Sequence, residues 1–363
     1  MSAAVIDLGV GAPDIPTPPA AAEAAERAIR EGLTRYAGAA GIPELREAVA
    51  DAFAPATGRT VDPDQVVVSA GAKLTLFCVL SALARPGGTV VYPTPHYGGY
   101  PHLIRRAGLE GRSVGTSVAD GYRIDPSALA AAVDESTVAV MLNTPSNPTG
   151  TVYTAEELAE LGEIVRARSD AMIVSDEIYA RFSYDRPYVS VASLPGFEDR
   201  TVAVDGVSKA FGMTGWRIGW AVGPRDLIAD ARRVNSQMTN CASTISQWAA
   251  VGALRGAPSD HLGLASHRRR RDLAYAAAAV LPGAVAVRPG GGIYQAVQLD
   301  DATTARLETG GRSVAAALRE DHRLRVPEDA TFGRRGLLRL TFSVPEPTLA
   351  EGLRRLAAAL EQH

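Results

Sequence analysis

Between residues 66 and 222, short β-branched runs alternate with longer stretches of helical character, and no other feature restricts the fold as much. Val66-Val67-Val68, Thr89-Val90-Val91-Tyr92, Val138-Ala139-Val140-Met141-Leu142, Met172-Ile173-Val174-Ser175, Thr201-Val202-Ala203-Val204 and Ile218-Gly219-Trp220-Ala221-Val222 are apolar at consecutive positions. That suits strands buried on both faces. Helices are expected over Ala72 to Leu83, near Tyr97 to Ala107, and after Thr154, which caps a helix with Glu156 and Glu157 in its first turn. Strands alternating with helices in this way imply an α/β domain with a mostly parallel sheet between helices.

After about Pro224 the pattern changes. A helical region from Asp226 to Leu281, broken around Gly256 to Pro258, leads to strands near Val285 to Val287, Ile293 to Leu299 and Leu337 to Phe342. An amphipathic helix over Thr348 to Leu360 ends the pattern, which reads as a smaller α+β domain. The expected division is 34–245 for the large domain, and 1–33 with 246–363 for the small one. Arg268 to Arg271 fall within the helical region, and four consecutive positions there spread around the axis, towards water or acidic neighbours. A solvated face is expected.

Charge narrows the partners. Lysine plus arginine is 37 against 40 for aspartate plus glutamate, a net charge of −3, without the basic excess of a nucleic-acid binder. No apolar run is long enough for a membrane span, and the N-terminus lacks the charged and apolar regions of a signal peptide. Cys78 and Cys241 are too few for a disulfide framework, so a reducing, cytoplasmic setting is expected.

Three segments at strand ends carry chemistry. Asn143-Thr144-Pro145-Ser146-Asn147-Pro148-Thr149-Gly150 is a proline-stiffened turn in which Asn147 can offer an amide, although Asn and Pro favour turns in any case. Asp176 ends a buried strand, a costly place for a carboxylate unless it caps a helix or meets a cation, and Tyr179 follows on the same side. Lys209 lies between glycines and the apolar Phe211, Met213, Trp216 and Ile218, which starves it of water and favours the neutral amine needed for Schiff-base chemistry. Ser208 and Arg217 beside it would suit a phosphate.

These segments together resemble the class I/II aminotransferases, pyridoxal-phosphate enzymes of fold type I, and most closely their prokaryotic aspartate-aminotransferase branch. The resemblance is carried by Ser208-Lys209-Ala210-Phe211-Gly212-Met213-Thr214-Gly215-Trp216-Arg217-Ile218-Gly219, by Ser146 to Gly150, by Ser175 to Tyr179, and by Tyr36 followed by Gly41 to Arg46. Ser236 to Thr239 and Ser246 to Ala249 extend it, so that it runs from about residue 6 to the C-terminus. It implies a two-domain fold type I enzyme that carries pyridoxal 5′-phosphate on Lys209. Asp176 would then pair with the pyridine nitrogen, while Asn147 and Tyr179 would hydrogen-bond the ring oxygen. Ser208, Arg217 and the backbone amides of Ala72 and Lys73 would hold the phosphate, and Tyr97 would stack on the ring. Gly11, Asn147 and Arg339 would receive the substrate, with Arg339 clamping its α-carboxylate. Tyr36 would reach the neighbouring subunit's phosphate, which implies a homodimer, and the other partner would be a small molecule, an amino acid substrate.

Four departures from the branch bear on the substrate. Gly9-Val10-Gly11-Ala12-Pro13-Asp14 comes almost at once, where relatives carry more chain and a covering helix; Tyr97 stands where Trp is common; Pro289-Gly290-Gly291-Gly292-Ile293-Tyr294 is poor in side chains; and Glu328 and Asp329 follow Pro327 in place of Gly. A wider site is expected, on a substrate other than plain aspartate, with two acids that would suit a cationic or bulky molecule. The alternative is a pyridoxal-phosphate enzyme that eliminates, replaces or cyclises on a bulky amino acid such as S-adenosylmethionine.

Overall fold

The computed structural model describes residues 4–258 and 260–361. Its strands are β1 (Ile6–Asp7), β2 (Val66–Ser69), β3 (Thr89–Thr94), β4 (Glu110–Gly115), β5 (Thr137–Asn143), β6 (Met172–Asp176), β7 (Thr201–Gly206), β8 (Gly219–Val222), β9 (Ala284–Ala286), β10 (Tyr294–Leu299), β11 (Leu324–Arg325) and β12 (Leu337–Thr341). The helices are α1 (Pro19–Arg30), α2 (Pro43–Thr57), α3 (Ala72–Ala82), α4 (Tyr100–Arg106), α5 (Pro126–Ala132), α6 (Ala155–Arg168), α7 (Val207–Ala210), α8 (Arg225–Thr239), α9 (Thr244–Gly256), α10 (Leu264–Ala278), α11 (Asp301–Leu307), α12 (Val314–His322) and α13 (Glu346–Glu361).

Seven strands form the central sheet in the order β2-β8-β7-β6-β5-β3-β4. Neighbours run parallel except around β8, which is antiparallel to both β7 and β2. The expected α/β architecture with a mostly parallel sheet is present. β4 has no apolar signature in the sequence, because only Val114 of its six residues is buried; it is the solvated edge, where an apolar run would invite pairing with another chain. Helices cover both faces. Leu76, Val79, Tyr100 and Ile228 pack against Val67, Val90 and Val174 on one face. Leu129, Leu158, Leu161 and Val165 pack against Val91, Val140 and Ile173 on the other.

The antiparallel group β12-β10-β9, the short pair β1–β11 and helices α10 to α13 build a second core around Leu8, Val297, Leu318, Leu338 and Leu356. Two helices that the division at 33/34 and 245/246 assigns to that unit lie elsewhere. Ala21 and Ala25 of α1 and Ala249, Ala250 and Ala253 of α9 share a cluster with Val66, Val68 and Trp220 of the large sheet. The helical region after Pro224 also breaks twice. Besides the gap after Gly256, α8 ends at Asn240 with φ +59°, and Ser243 caps α9 by accepting from the Ser246 amide. Asn240 is the centre of a γ-turn, with ψ −63° and the Cys241 amide donating to the Thr239 carbonyl at 2.7 Å.

The four-arginine run does not form a solvated face. Arg268 and Arg269 are exposed and pair with Asp185 and Glu346, whereas Arg270 and Arg271 are 5% and 0% exposed. Successive residues on a helix are about 100° apart, so a helix covered on one side must turn part of such a run inward. Arg270 meets Asp14, and Arg271 meets Asp185 and the Pro289 carbonyl. No helix among the described residues is long and apolar enough to cross a membrane.

Candidate active site

The C-terminal ends of β5, β6 and β7 open onto a cavity of about 440 Å³, where open α/β sheets place their ligands. β7 ends at Gly206 and the chain enters the single turn of α7, which carries Ser208 and Lys209 into the cavity. Lys209 Nζ donates to the Gly11 carbonyl. Burial pushes its pKa down to about 8; the cations Arg339 and Arg217 add to that, and Asp176 opposes it. About a tenth of the amine is therefore neutral and nucleophilic at pH 7, against less than about a thousandth for an ordinary lysine.

Asp176 closes β6 and is buried. Burial raises its pKa, while the Tyr100 hydroxyl, which donates to Oδ2 at 2.7 Å, holds it down together with the Ile178 amide and the charge on Lys209. A carboxylate so enclosed and so aimed calls for a cationic partner. Asn147 receives its position from Asn143, whose Oδ1 accepts from the Asn147 backbone at 2.7 Å. Its own Oδ1 accepts from Arg339 at 3.1 Å, which leaves the amide nitrogen as the group free to donate. Tyr179 hydrogen-bonds Tyr294, hydroxyl to hydroxyl, at 3.0 Å. Arg339, on β12, also donates to the Gly9 carbonyl at 2.9 Å, packs its guanidinium 4.1 Å from the centre of the Tyr294 ring, and leaves Nε buried without a partner.

A second group of residues forms a cradle. Ala72 and Lys73 open α3, so their amides are unused by the helix and face the cavity end. Gly71 precedes them at φ +92°, and a Cβ there would lie 2.4 Å from Arg217 Nη2. A Cβ on Gly219 would lie 2.2 Å from the Ala72 nitrogen. Two glycines thus let a guanidinium and a helix N-terminus converge, with Ser208 on the same wall. That is an anion cradle. Tyr97 lines the cavity with its ring edge-on to Tyr100, 5.4 Å between centroids.

The sequence and the fold resemble those of known proteins. The sequence pattern described as Aminotransferase class I and II matches residues 3–356. The probable aspartate/prephenate aminotransferase of Thermus aquaticus is 37% identical over 361 residues, covering 98% of this chain and 92% of that one. The chain belongs to the class I and II aminotransferases. Among solved structures, the aspartate aminotransferase of Rhizobium meliloti superposes with a TM-score of 0.91 at 35% identity, over 99% of this chain and 92% of that one. The aromatic aminotransferase of Pyrococcus horikoshii gives 0.91 at 31% identity, over 98% and 96%.

This aminotransferase is therefore a pyridoxal-phosphate-dependent transferase of fold type I, and its own residues fit the cofactor. The fit lies in the donor set: a cradle that side chains on Gly71 and Gly219 would fill, a buried carboxylate in want of a cation, and a poorly solvated lysine between them. Gly11, Ala72, Lys73, Tyr97, Asn147, Asp176, Tyr179, Ser208, Lys209, Arg217 and Arg339 all line the one cavity. Tyr36 does not: it is 87% exposed on the link between α1 and α2.

Sequence reasoning passed over Tyr100, Asn143 and Tyr294. Tyr100 and Asn143 orient Asp176 and Asn147, and Tyr294 pairs with Tyr179 and stacks on Arg339. The two expected acids are not in this cavity. Asp329 accepts from the Gly336 and Ala330 amides and so closes a turn, and Glu328 lines an adjoining cavity of about 890 Å³. Asp176 is the one acid in the lining among the described residues, beside the cations Lys73, Lys209, Arg217 and Arg339. That field repels a cationic substrate, so the argument for one falls.

Proposed function

We propose that this aminotransferase moves the amino group of a dicarboxylic amino acid, aspartate or glutamate, to a 2-oxo acid larger than oxaloacetate. The observation that carries this reading is Lys73. Its side chain lines the cavity and makes no hydrogen bond or ion pair among the described residues. If the cradle takes the cofactor phosphate and Arg339 the substrate α-carboxylate, Lys73 is the cation left for a side-chain carboxylate. The larger acceptor is supported by the cavity beyond Gly9 and Arg339, both of which line it. The name of the Thermus aquaticus relative, aspartate/prephenate aminotransferase, points the same way.

The bound cofactor supplies an electrophilic carbon and a ring that accepts electrons. Around it the chain does the rest. Asp176 keeps a proton on the ring nitrogen, and Asn147 and Tyr179 donate to the ring oxygen. Arg339 turns the substrate so that its α-hydrogen faces Lys209, whose amine takes that proton and returns it. Tyr36 completes the phosphate cradle of a second copy, so the working form is a homodimer; its exposed ring has no packing role within its own chain.

Rapid mixing of the holoenzyme with single amino acids tests the donor. Aspartate and glutamate should form pyridoxamine phosphate at least about tenfold more efficiently than alanine, the value of one charge-assisted contact of about 1.4 kcal/mol. Lys73→Ala should erase that preference. Equal efficiency with alanine in the unaltered protein would reject the dicarboxylic donor. With aspartate as donor, prephenate should turn over at least as well as 2-oxoglutarate; no turnover with prephenate or any acceptor of its size would reject the larger acceptor.

A further inference from the structure

One wall of the cavity is a strand of chain with no regular structure. Residues 8–18 lie between β1 and α1, yet two of their carbonyls hold the two cations on which binding and proton transfer depend. Gly9 accepts from Arg339 Nη2 at 2.9 Å and Gly11 accepts from Lys209 Nζ. No ladder or helix fixes the place of Gly11. Its fastening must come from side chains further along.

That fastening is Asp14. Its Oδ2 accepts from Arg270 Nη1 at 2.5 Å, and its Oδ1 accepts from the Ser343 hydroxyl at 2.9 Å. Ser343 is itself hydrogen-bonded to the buried His267 at 2.8 Å, and Arg270 also donates to the Val344 carbonyl at 2.7 Å. Arg270 is 5% exposed and His267 1%, so the grip is set in the core beneath α10. Just beyond, the segment is tied to the loop that carries Lys209. A Cβ on Gly212 would lie 2.2 Å from the Ile15 carbonyl, and Trp216 donates its indole N–H to Thr17 at 3.2 Å. The segment is thus strung between α10 and the lysine loop, and Asp14 is its one charged anchor.

We infer that Asp14 is a positioning residue for substrate binding, through its ion pair with Arg270 and the carbonyls of Gly9 and Gly11. Asp14 is absent from the cavity lining, so it acts only by placing groups that are there. Asp14 keeps 31% of its side chain in water, but Arg270 is buried, so the pair resists sliding because leaving it strands the arginine without its carboxylate. The buried half of the arginine run thereby acquires a role: Arg270 holds the wall of the site while Arg269, one position away and exposed, holds only Glu346.

The inference rests on the reading of Arg339 as the carboxylate clamp, and the test separates the two. Succinate, a dicarboxylate with no amino group, is titrated into the holoenzyme by calorimetry, and pyridoxal phosphate affinity and thermal melting are recorded alongside. Asp14→Ala should weaken succinate at least about tenfold and raise the KM for aspartate similarly, with cofactor affinity within about threefold of the unaltered protein. Asp14→Asn, which keeps the shape and one acceptor, should fall between. Arg269→Ala should change nothing. Succinate binding unchanged in a folded Asp14→Ala protein would overturn the inference. So would a joint loss of succinate and cofactor binding with early melting in both Asp14 variants, since that marks a general structural role. Failure of the unaltered protein to bind succinate would overturn the dicarboxylate reading, and this inference with it.

Discussion

Replacing Gly71 by alanine tests the anion cradle directly. The new Cβ would sit 2.4 Å from Arg217 Nη2 and 2.9 Å from its Cζ, and real Cβ contacts do not come that close. The guanidinium is the free end of a long side chain, so it swings aside and gives up its place at the cradle instead of unfolding the site. A charge-assisted hydrogen bond is worth about 1.5–3 kcal/mol, so pyridoxal phosphate should bind roughly 10- to 150-fold more weakly. The backbone cost is separate: at φ +92° and ψ 155° Gly71 lies in a region essentially reserved for glycine, where a side chain costs about 1–3 kcal/mol. Gly58→Ala gives the milder cost of a positive φ by itself, because Gly58 ends α2 in the left-handed region, φ +70° and ψ 10°, with nothing within 4 Å of its added Cβ. Absorbance titration of the cofactor-free protein gives the affinity, and calorimetric melting gives the stability. Both variants should melt earlier, and only Gly71→Ala should lose cofactor. A Kd for Gly71→Ala within threefold of the unaltered protein would refute the geometry, whatever happens to melting.

Lys209 has its pKa pushed down to about 8, so the rate at which cofactor-free protein captures pyridoxal phosphate should climb through pH 8 as the amine loses its proton; an inflection near the ordinary lysine value of 10.5 contradicts this. Tyr100→Phe removes the hydroxyl that keeps Asp176 ionised, and kcat/KM at pH 7 should fall roughly 10- to 100-fold for the loss of about 1.5–3 kcal/mol. Asp176 then titrates at higher pH, so the loss should shrink as the pH rises, and an equal loss at every pH counts against the assignment. Arg271→Leu leaves the Pro289 carbonyl without its donor and Asp185 with only the exposed Arg268 and Arg288, and should cost about 3 kcal/mol in urea unfolding. That is the low end for a broken buried pair, because Asp185 keeps 33% of its side chain in water. A loss below about 1 kcal/mol would mean that water replaces the arginine there.

The buried strands and the groups at their ends were legible because both are local. An apolar run ending in Asp176 or leading into Lys209 states its burial and its chemistry within a few residues. Tyr100 was not legible, since its partner Asp176 is 76 residues away and nothing near Tyr100 announces it. Tyr294 acts through Tyr179, 115 residues away, in the same distant way, whereas Asn143 lies four residues from Asn147 in a turn where Asn and Pro are ordinary and so carries no signal of its own. β4 carries one buried side chain and so has no apolar signature, although it pairs along its full length with β3. Arg270 and Arg271 misled for a physical reason. A run of like charges on one helix looks soluble until Asp14 and Asp185, 256 and 86 residues away in sequence, are folded against it.

The reversed strand β8 has a mechanical consequence. Its first residue, Gly219, pairs with Gly206 on one side and with Ser69 on the other. The covalent attachment point at 209, the guanidinium at 217 and the turn that opens α3 are therefore gathered at a single rung of the sheet. The connection from 207 to 218 is closed by that rung, so its length cannot vary without moving anchor and clamp together. An inserted residue there, or new chain ends made by circular permutation, disturbs both at once.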